Sequence, residues 1–408
     1  MLIQKGFKYR LYPTKKQKQL LSQHGGNTRF IWNLFLEQNI EEYKQNQKFL
    51  WKYDLINSLP KLKEQHEFLQ LSFSQSLQQI AIHFDKALRD FLKQKDKGFP
   101  TFKKKNLLHD SFICPQKYRL SFSHVYIPKI GEVKWVKHRS LQGKPKKITI
   151  SQNGNNWYCS VLCEYEKQEQ PKQTDNLIGI DVGLKYFATL SNGKTIENIR
   201  ILKQYEKKLS REQRRLSRKE KNSNNRYKQR LKVHKVHTRI KNIRQDFLHK
   251  TTYSIAKNYD GIVLENLNVK GMMKNHKLSK AISDVSWFEF KRQLEYKCKW
   301  NFKHFVVIDR FEPTTKVCSD CGCIQDMKLN DRTFKCKDCG LILDRDLNAA
   351  INILKLGCKQ IDVDFKDLIF NTVGHTGIYA CGEKSSDLNG NIFSSETILN
   401  EARKRKSG

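Results

Sequence analysis

Apolar residues in the first hundred positions recur at helical spacing. The clearest stripe would lie on one helix face and consists of Leu77, Ile80, Ala81, Phe84, Leu88 and Phe91. An earlier helix is predicted to begin after Thr14, because Thr14 and Gln17 form the pattern of a capping box. We therefore predict that residues 14 to about 95 are mostly helical. The segment from Lys5 to Pro13 before them has the pattern of a short basic strand.

After Gly98 the helical spacing gives way to the pattern of strands. Strands are predicted within 145–166 and at 177–183, 186–190, 195–199, 261–267 and 305–308, and the Asn-Gly pair at 192–193 is typical of a hairpin turn. Helices are predicted at 203–250, 284–300 and 346–357, the last ending at Gly357. From position 177 the order is three hairpin-linked strands, helix, strand, helix, strand, helix. That is the element order of an RNase H-like α/β fold, but alternating strands and helices alone are compatible with many α/β domains, so the carboxylates described below must decide.

The chain carries a large excess of positive charge. Lys and Arg number 77 against 41 Asp and Glu, which gives a formal net charge of +36. This excess repels itself unless a polyanion neutralises it, and no basic amphipathic helix beside an apolar anchor points to a membrane. Nucleic acid is therefore the expected partner. Residues 203–250 hold 18 basic residues against 4 acids, so this region is either a nucleic-acid face or a solvated one.

The sequence shows no evident signal peptide or membrane span. The N-terminus lacks the apolar stretch of a signal peptide, and no apolar run reaches the roughly 18 residues of a membrane span. Eleven cysteines in such a chain indicate reduced thiols. We expect a cytoplasmic protein, and we predict a disordered tail over the weakly patterned residues 358–408.

Three acidic residues lie where metal chemistry would need them. Asp181 ends the apolar strand LIGID, Glu265 ends the apolar strand IVLE, and Asp346 opens the last predicted helix. A carboxylate at the end of a buried strand is costly unless it binds a cation. Mg²⁺ prefers carboxylate, water and phosphate oxygens, and two such ions support phosphodiester hydrolysis. Taken singly, each acid could instead be a helix cap or a surface residue.

Four cysteines are spaced as zinc ligands, in the pairs Cys318-x2-Cys321 and Cys336-x2-Cys339. A glycine follows each pair, as in zinc knuckles. Four thiolates leave no position open for water, so a structural Zn²⁺ is predicted. Cys323 is a spare thiol that could compete with Cys321, and a redox pair or unrelated buried cysteines are the alternatives.

Further basic residues are candidates for contacts to phosphate, although each could simply be solvated. They are Lys8, Arg10, Lys103, Lys104, Lys105, Arg214, Arg215 and Arg218.

Several segments together resemble one family over nearly the whole chain. In order they are FKYRLYPTKKQ, GFPTFKKK, IGIDVGLKYFATLSNG, IVLENL, KVCSDCGCIQD, FKCKDCG, LDRDLNAAINIL and GHTGIYACGE. They resemble the TnpB (OrfB) family, nucleases of insertion sequences related to type V CRISPR nucleases. The cysteine pairs with the DRDLNAAINI block are the most specific part of this resemblance.

The resemblance implies a function and a set of partners. A noncoding guide RNA would direct Mg²⁺-dependent cutting of double-stranded target DNA, next to a short motif, at one RuvC-like site. Asp181, Glu265 and Asp346 would be the catalytic triad and would hold two Mg²⁺ ions. The D-x-N-A-A context favours Asp346 over the nearby Asp344.

The resemblance also implies a domain organisation. It comprises a wedge-like β-barrel (1–13 and 105–170), a helical recognition domain (14–104), a RuvC-like nuclease domain (176–313 and 343–357) and an inserted zinc ribbon that binds target nucleic acid (314–342). Three other functions remain open on the residues alone. They are an RNA-guided repressor that does not cut, a transposase acting directly on element ends, and a basic RNA-binding scaffold.

Overall fold

The computed structural model describes residues 1–94, 96–106, 108–328, 331–363 and 365. The chain forms two compact units. The first comprises Met1–Gln168 with Asn222–Lys235, and the second comprises Glu169–Lys221 with the chain from Val236 onward. Within the described residues, no helix is long and apolar enough to cross a membrane.

The first unit contains a seven-stranded antiparallel sheet. Its strands are β1 Leu2–Tyr12, β2 Ser111–Cys114, β3 Arg119–Leu120, β4 His124–Ile127, β5 Gly131–Val136, β6 Lys144–Asn153 and β7 Asn156–Glu166, in the spatial order β2-β6-β7-β1-β5-β4-β3. The predicted basic strand is confirmed and begins earlier than expected, at Leu2. As described, the sheet has β2 and β3 at its edges, so its closure into the predicted barrel stays a prediction.

Helices of the first unit follow β1. They are α1 Lys15–Asn46, α2 Lys52–Gln65 and α3 Ser74–Lys93. The capping box is confirmed, because the Gln17 N–H donates to Thr14 Oγ1 (3.3 Å) and the Thr14 N–H donates to Gln17 Oε1 (3.0 Å). The predicted stripe is buried on α3 from Leu77 to Leu88 and packs against Ile31 and Phe35 of α1.

The second unit is built on a five-stranded mixed sheet. Its strands are β8 Leu177–Val182, β9 Tyr186–Leu190, β10 Thr195–Glu197, β11 Gly261–Glu265 and β12 His304–Ile308, in the order β10-β9-β8-β11-β12. The first three strands are antiparallel, while β8, β11 and β12 run parallel. Gly193, in the hairpin turn between β9 and β10, has a φ of +82°, which suits glycine. The predicted order of strands and helices is confirmed.

Two helices predicted in the second half of the chain are each divided in the structure; of those named next, α5 begins in the part assigned to the first unit and continues into the second. The helices are α4 Ile201–Ser217, α5 Asn224–Asn258, α6 Val269–Met272, α7 Ser279–Val285, α8 Trp287–Trp300 and α9 Arg345–Gln360. The single helix predicted over 203–250 is interrupted because Asn222 adopts a φ of +66° and Ser223 Oγ accepts from the Arg226 N–H (3.1 Å), which starts a new helix. The helix predicted over 284–300 is likewise divided, at Ser286, whose φ is +58°.

Helices cover both faces of the second sheet. One face, with Ile178, Ile180 and Ile262, packs against residues of α5, α7 and α8. The other face, with Leu177 and Val263, packs against α9. The packing on this second face brings the last helix against the central strands.

The end of α9 also differs from the prediction. Gly357 is not a helix stop, since the helix continues to Gln360 and a Cβ at Gly357 would lie 2.3 Å from Cγ2 of Val263. Residues 358–360, predicted to begin the tail, are therefore helical. The rest of the predicted disordered tail, apart from 361–363 and 365, lies outside the described residues.

Candidate functional site

Asp181 and Glu265 stand at the same edge of the second sheet. The parallel strands β8 and β11 pair in register up to Ile180 and Leu264, and the two acids are the next residue on each strand. Because side chains alternate along a strand, Asp181 lies on the same face as Gly179, and Glu265 on the same face as Val263. That face is the one covered by α9.

A glycine lets α9 approach strand β8 very closely. A Cβ at Gly179 would lie 2.2 Å from the carbonyl oxygen of Ala350 and 2.7 Å from the amide nitrogen of Leu354. Gly179 is not among the predicted site residues, although it lies two residues before Asp181. The close packing places the first turn of α9, which carries Asp346, beside the carboxyl end of β8.

The first turn of α9 distinguishes Asp344 from Asp346. Asp344 is the N-cap, and its carboxylate accepts from the N–H groups of Asp346 (2.9 Å) and Leu347 (3.3 Å). The Asp346 carboxylate does not serve as this cap, so the capping explanation applies to its neighbour. It lies instead 3.3 Å from the guanidinium of Arg345 and 3.9 Å from that of Arg332.

Asp181 is affected electrostatically by the other two acids. Burial, reinforced by the negative charges of Asp346 and Glu265, raises the pKa of Asp181 to about 8, while Arg345 acts in the opposite direction. Burial also raises the pKa of Glu265. The fold thus brings together three carboxyl groups from distant parts of the chain, at an energetic cost to the charged forms of Asp181 and Glu265.

A pocket opens beside Glu265. It has a volume of about 240 Å³, and Phe288, Lys291 and Arg292 of α8 are among its lining residues. The Phe288 side chain is 71% exposed. An exposed aromatic ring next to cations suits contact with a nucleic-acid strand.

The four predicted zinc ligands meet in one cluster. Their Sγ atoms all lie within 4.8 Å of one another, with Cys318 and Cys339 3.6 Å apart and Cys321 and Cys336 3.5 Å apart. Tetrahedral thiolates bound to zinc at about 2.3 Å would be about 3.8 Å apart, so the cluster can hold a zinc ion. Among the described residues, these four cysteines have ligand atoms close enough to share one metal ion. The three carboxyl groups do not meet that distance criterion.

Backbone geometry supports a thiolate at Cys336, while desolvation and the neighbouring thiols raise the pKa values of Cys321 and Cys339. Gly322 and Gly340, which follow the two pairs, have φ values of +81° and +73°, and the N–H of Asp320 donates to Cys318 Sγ (3.4 Å). Hydrogen bonds from the backbone of Cys339 and Asp338 lower the pKa of Cys336 to about 6.

Cys323 does not belong to the cluster. Its thiol interacts with Asp338, whose carboxylate raises the pKa of Cys323 to about 11. The possibility that Cys323 competes with Cys321 as a ligand therefore finds no support in the geometry.

Polar residues of α9 that the sequence analysis missed hold the first cysteine pair. Asn348 and Asn352 are buried, and their side chains hydrogen-bond to the backbone of Thr314, Val317 and Ser319. The available signal was the presence of two asparagines, four positions apart, in an otherwise apolar helix. Their spacing places them on one helix face.

The basic candidates lie on the surfaces of both units. In the first unit, the Lys8 ammonium lies 4.4 Å from the centroid of the Tyr158 ring, Arg10 donates to Asn156 Oδ1 (2.7 Å), and the Lys103 ammonium lies 3.4 Å from the centroid of the Trp32 ring. Lys103 as a whole residue is exposed, but partial desolvation of its ammonium lowers the pKa of Lys103 to about 8. Exposed neighbours of these residues are Lys104 and Lys105.

In the second unit, the basic candidates lie at the end of α4. Arg214, Arg215 and Arg218 are exposed there, and Arg215 also pairs with the buried Glu212 (3.2 Å). Contact of any of these side chains with nucleic acid stays a prediction.

Comparison with known proteins gives the family. Three family profiles match the chain: the OrfB profile described as "Probable transposase" over residues 160–276, "Cas12f1-like, TNB domain" over 287–353, and "Helix-turn-helix domain" over 1–48. An Escherichia coli K12 protein named "Putative RNA-guided DNA endonuclease InsQ" is 32% identical over 371 residues, which cover 86% of this chain and 92% of that protein. The chain belongs to the TnpB (OrfB) family.

Another relative of the TnpB family is closer in identity. A Streptomyces pristinaespiralis protein named "Putative RNA-guided DNA endonuclease" is 35% identical over 366 residues, covering 87% of this chain and 90% of that one. Among solved structures, a Cas12f1-sgRNA-target DNA complex aligns with 86% of this chain at 18% identity and a TM-score of 0.34, which is too low to carry an argument. The matched helix-turn-helix region consists here of β1 and the single long helix α1.

Proposed function

We propose that this TnpB-family protein is an RNA-guided, Mg²⁺-dependent endonuclease that cuts double-stranded DNA next to a short motif. The observation that carries the proposal is the convergence of Asp181, Glu265 and Asp346 at one edge of the second sheet. The names of the Escherichia coli and Streptomyces relatives support RNA guidance and DNA as the substrate. The three acids are the proposed catalytic residues of an RNase H-like, RuvC-type site.

The proposed site suits divalent cations. Burial and mutual repulsion disfavour the charged form of Asp181 in the absence of a cation, and a bound Mg²⁺ would offset that cost. Asp181, Glu265 and Asp346 would hold two Mg²⁺ ions, which supply activation of the attacking water and stabilisation of the leaving oxygen. At neutral pH Asp181 would give up its proton when a cation binds.

Each part of the chain has a proposed role in this function. Residues 176–313 and 343–357 form the nuclease domain, 314–342 a ribbon around structural Zn²⁺ that contacts the target, 1–13 with 105–170 a wedge-like domain, and 14–104 the recognition domain. The net charge of +36 requires a polyanion, and guide RNA with target DNA would supply it. Lys8, Arg10, Lys103, Lys104, Lys105, Arg214, Arg215 and Arg218 are proposed phosphate contacts.

The test is to express the protein with its native flanking DNA and to sequence any RNA that co-purifies. The preparation is then given duplex DNA matched to that RNA, together with Mg²⁺. We expect a discrete RNA whose 3′ end dictates the position of the cut. RNA with binding but no cutting would instead indicate a repressor, and RNA-independent cutting or joining at element ends would indicate a transposase.

A further inference from the structure

Three polar side chains of helix α9 form hydrogen bonds to the backbone around the first cysteine pair. The Asn348 amide donates to the Val317 carbonyl (2.7 Å), and the Asn348 carbonyl oxygen accepts from the Ser319 N–H (2.9 Å). The Asn352 amide donates to the carbonyls of Thr314 (2.9 Å) and Val317 (2.7 Å), and the Lys355 ammonium donates to the Ser319 carbonyl. Unpaired, these buried groups would carry a desolvation cost, so the contact is strongly specified.

The second cysteine pair is joined to the same helix through its hairpin. Strands β13 Thr333–Lys335 and β14 Ile342–Asp344 pair on either side of Cys336 and Cys339, with Thr333 opposite Asp344. Asp344 ends β14 and caps α9, and the Arg345 N–H donates to the Arg332 carbonyl (2.8 Å). Both cysteine pairs are therefore attached to the turn of helix that carries Asp346.

Other residues of α9, which alternate along the helix with those that contact the ribbon, pack on the sheet. Gly179 of β8 contacts the backbone of Ala350 and Leu354, and Gly357 contacts Val263 of β11. Asp346 lies about one turn before Ala350, the first of these sheet contacts, in the turn that also carries Asn348 and is capped by Asp344. Its position relative to Asp181 thus depends on contacts made by the ribbon.

We propose that Asn348 and Asn352 are positioning residues, which link the folded zinc ribbon to the placement of Asp346 in the active site. The proposal rests on the proposed nuclease function and adds to it a means by which the metal-bound ribbon sets the geometry of the carboxylates. Neither asparagine touches substrate or metal in this account. Asn348 acts from the first turn of α9 and Asn352 from the second.

The test compares the double variant Asn348→Ala/Asn352→Ala with Thr252→Val, using the full chain bound to its RNA. Thr252 is a matched control because it is buried in the same unit and its hydroxyl donates to Leu248 O (2.6 Å) and contacts Gln293 Oε1 (3.0 Å), away from the ribbon. Zinc content, target affinity, single-turnover cleavage rate and amide hydrogen exchange are measured for each protein.

We expect the double variant to keep its zinc, because all four cysteines remain, and to bind target with unchanged affinity. Its cleavage rate should fall by about 100-fold, the scale of a misplacement of roughly 1 Å. The amides of Asp346 and Leu347, which bond to Asp344, should exchange faster than in the wild type. Thr252→Val should show neither change.

Wild-type cleavage by the double variant, or an equal loss in Thr252→Val, would overturn the proposal. If the wild type itself does not cut matched DNA, the proposed function fails. The hydrogen-exchange measurement then still tests whether the two asparagines link the ribbon to the first turn of α9. Faster exchange at Asp346 and Leu347 in the double variant alone would support the link, and unchanged exchange would refute it.

Discussion

The cysteine cluster and the carboxylate site are two proposed metal centres in one unit, and they are built in opposite ways. The cysteines come from two short, neighbouring segments, and their sulfurs already lie within 4.8 Å of one another. The carboxylates come from β8, β11 and α9, and meet only because the sheet pairs β8 with β11 and α9 packs across it. One centre is encoded locally and the other by the whole fold.

The difference extends to electrostatics. Backbone N–H groups favour the thiolate of Cys336, whereas burial and neighbouring acids disfavour the carboxylate of Asp181. A low thiol pKa prepares Cys336 to bind a metal, whereas buried, mutually repelling carboxyl groups gain most from a bound cation. We therefore expect loss of the first centre to cost folding, and loss of the second to cost activity.

Asp181→Asn should have the largest effect, on activity. Removing one carboxylate from the proposed triad should lower cleavage by on the order of 10³-fold or more, since such groups act as a unit. RNA and target binding should be unchanged, as measured by gel shift on the same preparation. A variant that cuts at the wild-type rate would remove Asp181 from the active site.

Cys336→Ser should act on folding of the ribbon, whereas Asp181→Asn should act on cleavage. Structural zinc sites contribute roughly 10 kcal/mol or more of apparent binding energy, so loss of one thiolate should release the metal. Metal analysis should find about one zinc per wild-type chain and much less in the variant. Cys323→Ser is the matched control, because that thiol lies outside the cluster, and it should retain zinc.

Gly179→Ala should affect both the cysteine cluster and the carboxylate site, because it should separate α9 from β8. The added Cβ would meet backbone atoms of Ala350 and Leu354, which cannot move away as a flexible side chain would. We expect the free energy of unfolding to fall by about 3 kcal/mol, measured by chemical denaturation. Gly98→Ala is the control, because a Cβ there has no neighbour within 4 Å, and its stability should be unchanged.

The pH dependence of stability tests the cost of burying Asp181 beside two other acids. Because the pKa of Asp181 is raised to about 8, the folded state binds more protons than the unfolded state between about pH 4 and 8. Without Mg²⁺, this group should therefore lower stability as pH rises through that window, by at most about 1.4 kcal/mol per pH unit. Denaturation of wild type and Asp181→Asn across the window should show a difference that grows with pH; parallel curves would contradict it.

Asp344→Ala should give the smallest loss of stability. It also tests whether Asp344 is only a helix cap while Asp346 is the catalytic residue. Loss of the hydrogen bonds to the amides of Asp346 and Leu347 should cost about 1 kcal/mol of stability. Asp344→Asn should recover it, since asparagine is an equally good cap. Thermal unfolding of the three proteins measures the difference, and a loss of cleavage in Asp344→Asn as large as in Asp346→Asn would contradict the assignment.

Local sequence patterns were sufficient for much of the second unit. Apolar runs marked β8 and β11, and the acid at the end of each run marked the candidate site, because strand ends and burial are local properties. The cysteine spacing predicted a cluster that the structure contains. In each case the decisive information lies within a few residues.

Contacts between distant segments could not be predicted in this way. Gly357 has the pattern of a helix stop, and only its contact with Val263 explains why the helix continues past it. Likewise the partners of Asn348 and Asn352 are backbone groups of the ribbon, which carry no sequence signal of their own. The break between α4 and α5 depends on the positive φ of Asn222. The basic residues on both sides continue the helical pattern, so the sequence gives no sign of the break.

The central claim is that Asp346 completes an RNA-directed DNA cleavage site. The most direct measurement rewrites the guide portion of the co-purifying RNA and maps cuts in the newly matched duplex, for wild type and Asp346→Asn. We predict that the wild-type cut follows the rewritten RNA in Mg²⁺ and that Asp346→Asn binds the same duplex without cutting it. Cutting by Asp346→Asn at the wild-type rate, or a wild-type cut that ignores the RNA, would contradict the account.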